Sequence, residues 1–129
     1  MTFEIFDYCT ESGENAFKTW TQGLQSVERA KLNAKLDMLQ NHGDVLFPEV
    51  LSGTGTPGIL KLRAKGSVQL RPMLCKGPIN IDREYTLLLG AIEVGGKLRP
   101  PKADELANEL KAKVCESPAT RRKLHERVS

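Results

Sequence analysis

At 129 residues, 40% apolar and 27% charged with a formal net charge of +3, the chain is long enough to bury a core without disulfide or metal staples. Its longest apolar run, near "YTLLLGAIEV", is too short to span a bilayer, and "MTFEIFDYC" carries neither the basic region nor the cleavage site of a secretory leader. Three widely spaced cysteines, Cys9, Cys75 and Cys115, fit a reducing cytoplasm better than a disulfide framework. With His42 and His125 they offer no pair at metal-ligand spacing, so neither a metal nor a cofactor is expected.

In chain order, "TFEIFDY" alternates like a short first strand. From Glu14 the period changes: Phe17, Trp20, Leu24 and Val27, then Leu32, Leu36 and Leu39, recur at helical spacing. This predicts two helices joined near Gly23 to Ser26, with Ser26 capping the second and Gly43 stopping it. "FPEVLSGTGTPG" predicts a loop, and its glycines lack the flanking strand and lysine of a phosphate loop. "ILKLRAKGSVQLRPML" reads as a hairpin, and after a second connection "YTLLLGAIEV" is apolar on both faces, as a covered central strand is. "KADELANELKAKV" puts Ala103, Leu106, Leu110 and Val114 on one helical stripe. Ser117-Pro118 then looks like a cap and a first-turn proline opening a basic tail. The expected architecture is an α+β domain over residues 1–116: an N-terminal strand, a helical pair, a three-stranded antiparallel continuation of the sheet and a C-terminal helix. Helices lie mainly on one face, and residues 117–129 form a basic, partly helical tail.

Charge is unevenly spread. Residues 57–102 hold nine Lys or Arg against three acids, a balance of +6, while residues 1–56 balance at −4. That concentration suggests a polyanionic or acidic partner. In the hairpin, a three-residue loop at Lys65 to Ser67 keeps Leu62, Ala64, Val68 and Leu70 on one face. It also sets Lys61 opposite Arg71, a like-charge pair that costs stability. No carboxylate lies in residues 59–81 to neutralise these cations, and phosphate is the natural anion for cations spaced along strands.

Three segments resemble the RelE/ParE toxins of bacterial toxin–antitoxin pairs, particularly their HigB-like and phage-derived branch. "ENAFKTWTQGLQSVERAKLNAKLDMLQNHG" is similar to that superfamily's helical pair. Leu62, Arg63, Gly66 and Arg71 match its "L-R-x-x-x-x-G-x-x-R" hairpin with one residue of difference in spacing. "YTLLLGAIEVGGKLRPPKADELANELK" resembles its last strand, basic turn and closing helix. The resemblance implies a cytoplasmic, metal-independent mRNA endoribonuclease that works on the ribosome, where the ribose 2′-hydroxyl attacks the adjacent phosphate, and that an antitoxin encoded beside it silences. On that resemblance Arg71 grips the scissile phosphate and Lys61 and Arg63 stabilise developing charge. Lys97 and Arg99 match the basic turn, and Lys65 and Lys76 extend the RNA contact. The superfamily usually ends this strand with an aromatic and paired lysines. Here Ala91 stands for the aromatic and Glu93-Val94 for the lysines, which makes Glu93 the candidate general base.

Two other functions compete. A ParE-like inhibitor that binds a protein such as DNA gyrase needs no catalytic set, and "GAIEV" favours it. A double-stranded-RNA-binding module shares the helix–strand–strand–strand–helix order but lacks the first strand and the long helical pair. Trp20, in phase with Phe17 and Leu24, and Tyr85 both read as core residues; Cys75 has no histidine near it in sequence, and His125 reads as a solvated tail residue.

Overall fold

In the computed structural model, which describes residues 2–129, the alternating N-terminal segment forms strand β1, Glu4–Tyr8. Helices α1 (Ala16–Gln22) and α2 (Ser26–His42) follow, then a 3-10 turn over Gly43–Leu46. Short strands β2 (Leu51–Gly53), β3 (Leu60–Leu62), β4 (Gln69–Leu70) and β5 (Met73–Lys76) lead to β6 (Glu84–Leu89). The strands β7 (Ile92–Val94) and β8 (Lys97–Arg99), helix α3 (Ala103–Glu116), the single turn α4 (Pro118–Arg121) and strand β9 (Arg122–Leu124) come next. Six strands form a mixed sheet in the order β2-β3-β5-β6-β1-β9, and β4-β7-β8 form a smaller one. The chain is therefore an α+β protein. As expected, β3, β5 and β6 are successive antiparallel neighbours; β1 joins β6 in parallel.

The helices cover both faces of the large sheet rather than mainly one. Phe17, Leu32, Leu36 and Leu39 from α1 and α2 pack on Leu62, Leu74 and Leu87. Ala103, Ala107 and Val114 from α3 pack on Met73, Cys75 and Leu88. The cause is visible in β5 and β6, which are apolar at both parities and so leave two faces needing cover. The α3 stripe runs through Ala107, and Leu106 is instead exposed, as is Val27 of α2. Asn15 caps α1, its side chain accepting from the Lys18 N–H at 2.9 Å. Gln25, not Ser26, occupies the cap position of α2 and makes no side-chain bond there. Gly43 stops α2 at φ +56°, and a Cβ there would fall 2.4 Å from the Phe3 ring.

Other expectations need correction. The stretch expected to be a loop contains edge strand β2, antiparallel to β3. "YTLLLGAIEV" is two strands: β6 is the buried central strand, but the chain breaks at Gly90-Ala91 and β7 leaves for the small sheet. At the break only glycine fits, because Gly90 lies against the Trp20 indole, which packs tilted against Phe17. The basic turn is a true hairpin, with Gly95 and Gly96 at φ +59° and +75° supplying the left-handed pair that a tight two-residue connection needs.

The segment expected as a separate tail is built into the sheet. β9 pairs antiparallel with β1, and Arg122 is buried, stacked 3.7 Å from the Phe6 ring centre and paired with buried Glu84. Fully buried Asp7 is the fastening point. It accepts from Asn15 Nδ2 at 2.9 Å and from the Glu126 N–H at 3.3 Å, and it shares a 2.8 Å hydrogen bond with His125 Nδ1. No helix among the described residues is long and apolar enough to cross a membrane.

Candidate anion-binding surface

The hairpin register decides which cations meet. Lys61 lies opposite Met73, and Ala64 opposite Leu70, so the connection is the five residues 65–69 rather than three. The shift is by two residues, which keeps the apolar face intact and puts Arg63, in place of Lys61, opposite Arg71. Ser67 fastens the longer loop to α2. Its Oγ donates to Glu28 Oε1 on α2 at 2.8 Å and draws the loop onto the helix.

Arg71 is not displayed to solvent. Its side chain is 7% exposed; Nη1 donates to the Leu70 carbonyl at 2.8 Å, Nη2 donates to Gln69 Oε1 at 3.2 Å, and Nε lies 3.4 Å from Glu93 Oε1. The Arg71 N–H bonds the Ala91 carbonyl, and Gln69 pairs with Glu93 across β4 and β7. The two residues expected as phosphate grip and general base are thus each other's partners. The missing carboxylate for the hairpin comes from Glu93, twenty-two residues further on.

Arg63 and Lys65 meet elsewhere. With Lys35 of α2, Glu49 and Val50 they line a shallow cleft of about 260 Å³ just past the C-terminal end of β3. The Arg63 N–H bonds the Val50 carbonyl at 2.7 Å, and its Nε is buried without a hydrogen-bond partner. Sequence reasoning missed Lys35 and Glu49. Lys35 sits between Leu32 and Leu36 and looks like any solvated lysine on an amphipathic helix, and only the folded chain brings it to the segment that follows β3.

The remaining cations are dispersed. Lys76 donates to Asp44 Oδ2 at 2.6 Å, and Tyr85 donates to the same carboxylate. Burial pushes the Asp44 carboxyl up, but the hydrogen bonds from Lys76 and Tyr85 outweigh it and hold the group below its ordinary value. Burial, with Asp44 beside it, raises the Tyr85 hydroxyl. Lys97 and Arg99 pair with Val94 and Ile92, and therefore project from the face of the small sheet opposite Glu93. Lys61 faces Ser52 across β2. His125 is neither solvated nor near these cations: β9 is four strand spacings from β3, roughly 19 Å. Trp20 and Tyr85 pack in the core as expected, and burial pushes the Cys75 thiol up to about 12.

Nine Lys or Arg lie between residues 57 and 102, and two of them, Arg71 and Lys76, are in ion pairs. The other seven, Lys61, Arg63, Lys65, Arg83, Lys97, Arg99 and Lys102, have no carboxylate within 4.0 Å among the described residues. No three His, Cys, Asp or Glu side chains among the described residues gather as a metal site. No protein-family model matches the chain, and no curated protein matches it.

Proposed function

We propose that this chain is a small RNA-binding toxin of the RelE/ParE kind. On this reading it is the toxin half of a type II toxin–antitoxin pair, acts on mRNA at the ribosome, and is silenced by an antitoxin encoded beside it. The observation that carries the reading is the set of seven cations between residues 57 and 102 left without a carboxylate partner. These cations spread over the end of β3, the small sheet and the connections, and a positive charge that the chain does not neutralise itself suits an external polyanion. Strand β1, the helical pair, the antiparallel strands β3, β5 and β6, and helix α3 follow in the order the resemblance implies, with β2, β4 and β7–β9 added to it.

In cleavage, the ribose 2′-oxygen forms a bond to the adjacent phosphorus while the bond to the next nucleotide's 5′-oxygen breaks. Lys61 and Arg63 offset the charge that gathers on the phosphoryl oxygens, Glu93 takes the 2′ proton, and the departing 5′-oxygen takes a proton from water. Arg71 can hold that phosphate only after its guanidinium leaves Glu93 and Gln69, so cleavage is coupled to opening of that contact. The closed Arg71–Glu93 pair is also what favours the second reading, an inhibitor that binds a protein target such as DNA gyrase without cutting RNA.

Induced expression followed by mapping of mRNA 5′ ends, with and without ribosomes, separates the two. The toxin reading expects growth arrest and ribosome-dependent cuts that disappear in Lys61→Ala/Arg63→Ala. Arrest with intact transcripts transfers the assignment to the inhibitor. Undisturbed growth removes the toxin reading altogether.

A further inference from the structure

Lys35 shares a cleft with Arg63 and Lys65 although it belongs to a different element. Its position there is fixed from both sides. Glu28, seven residues earlier on the same face of α2 and only 3% exposed, accepts the Ser67 hydroxyl and so pins the loop that carries Lys65. The approach is close: a Cβ on Gly66 would fall 2.8 Å from Lys31 Nζ and 2.9 Å from Glu28 Oε2. From the other side, the Arg63 main chain is tied to Val50 at the rim.

The three cations are nevertheless unspent. None has a carboxylate within 4.0 Å among the described residues, even though Glu49 lines the same cleft. Lys35 Nζ reaches only Met38 Sδ, at 3.9 Å, and Arg63 Nε is a buried donor with nothing to donate to. Three cations against one carboxylate leave a local charge of +2. A guanidinium with a donor left unpaired is a cost to the fold, and an anion held by the same guanidinium offsets part of it.

We propose that this cleft is a phosphate-binding site, in which Lys35, Arg63 and Lys65 hold a backbone phosphate of single-stranded RNA. It carries the nucleic-acid contact off the sheet and onto helix α2. The site rests on the RNA-binding reading for the source of the phosphate, not for its own chemistry. A guanidinium and an ammonium from the segment after β3, with a second ammonium from α2, supply donors from two sides, which suits a tetrahedral phosphate better than a planar carboxylate. Glu49 opposes the anion and limits its affinity.

The test has two arms on the intact chain. Binding of a short single-stranded RNA is measured against salt for the wild type, Lys35→Gln, Glu49→Gln and, as a control far from the cleft, Lys18→Gln. Lys35→Gln is expected to weaken binding roughly fivefold and flatten the log–log salt slope by about 0.7, the value for one lost phosphate contact on a single strand. Its melting temperature should not fall, since Lys35 makes no bond the fold needs. Glu49→Gln should tighten binding, and Lys18→Gln should change nothing. In the second arm, inorganic phosphate is titrated while backbone amide resonances are followed, and saturable shifts are expected at Lys35, Arg63 and Lys65. If RNA binds but Lys35→Gln keeps the wild-type affinity and slope, the cleft is not a phosphate site and the RNA reading stands. If phosphate shifts those resonances but RNA does not bind, the RNA assignment falls and the cleft keeps only its anion chemistry. If neither ligand is felt, both fall.

Discussion

Arg71→Ala is the substitution on which the sequence and the structure disagree most sharply. The expected Lys61–Arg71 repulsion makes truncation neutral or mildly stabilising, whereas the observed guanidinium is 7% exposed and holds three acceptors. Removing it takes one of two donors from the Leu70 carbonyl, which keeps the Ala64 N–H, and leaves the Gln69 amide oxygen without its donor and Glu93 without its counter-charge. Breaking a buried pair on one side costs about 3–5 kcal/mol when the remaining charge is dry. Glu93 is 31% exposed, so water recovers part of that, and a loss of about 2–3 kcal/mol follows. At roughly 4 °C per kcal/mol for a chain of this size, the melting temperature should drop by about 8–12 °C. Glu93→Gln keeps an acceptor in place and should cost less than half as much. The double substitution should cost less than the sum of the two. Thermal unfolding followed by circular dichroism at neutral pH measures all three. An Arg71→Ala melt within a degree of wild type would show that the guanidinium is not held by Glu93 and would restore Arg71 as a free phosphate ligand.

Gly90→Ala places a Cβ 1.9 Å from the Trp20 ring, so it should destabilise by about 1–3 kcal/mol and shift tryptophan fluorescence; unaltered stability and emission would refute the contact. Asp7→Asn weakens the charged fastening of His125 and Glu126 to β1, and amide exchange at Cys9 and His125 should accelerate ahead of the α2 core. Uniform exchange across the chain would mean that the C-terminal strand is held otherwise. With the buried Cys75 thiol raised from 9.0 to about 12, the unfolded chain ionises first. Stability is therefore complete below pH 9 and should fall above it by about 1.4 kcal/mol per unit, and Cys75→Ala should flatten that loss between pH 9 and 10.

The elements with strong periodicity were legible in the sequence. The Leu32, Leu36 and Leu39 stripe gave α2, the Gly43 stop fell where the chain needs a positive φ, and the two-sided apolar run gave the central strand β6. What stayed hidden was set by contacts between distant segments. The hairpin parity was readable because it needs only an apolar face, but its register goes with a longer loop that Ser67 fastens to Glu28 on another element. The tail looked unanchored because Leu124 and Val128 are its only large apolar residues. Its docking is polar, through Arg122 with Glu84 and His125 with Asp7, pairs more than thirty residues apart that no local pattern announces. For the same reason Arg71 read as a free cation, and Lys35 was not read as part of any site.

The most direct measurement of the central claim is the affinity of the wild-type chain for a short single-stranded RNA between about 50 and 200 mM salt. Seven unpaired cations and Lys35 set the ceiling. At about 0.7 per phosphate contact, engagement of three to seven of them gives a log–log slope between about −2 and −5. A slope in that range is the predicted result. A slope near zero, or no binding at the lowest salt, would contradict an RNA-binding role for these cations.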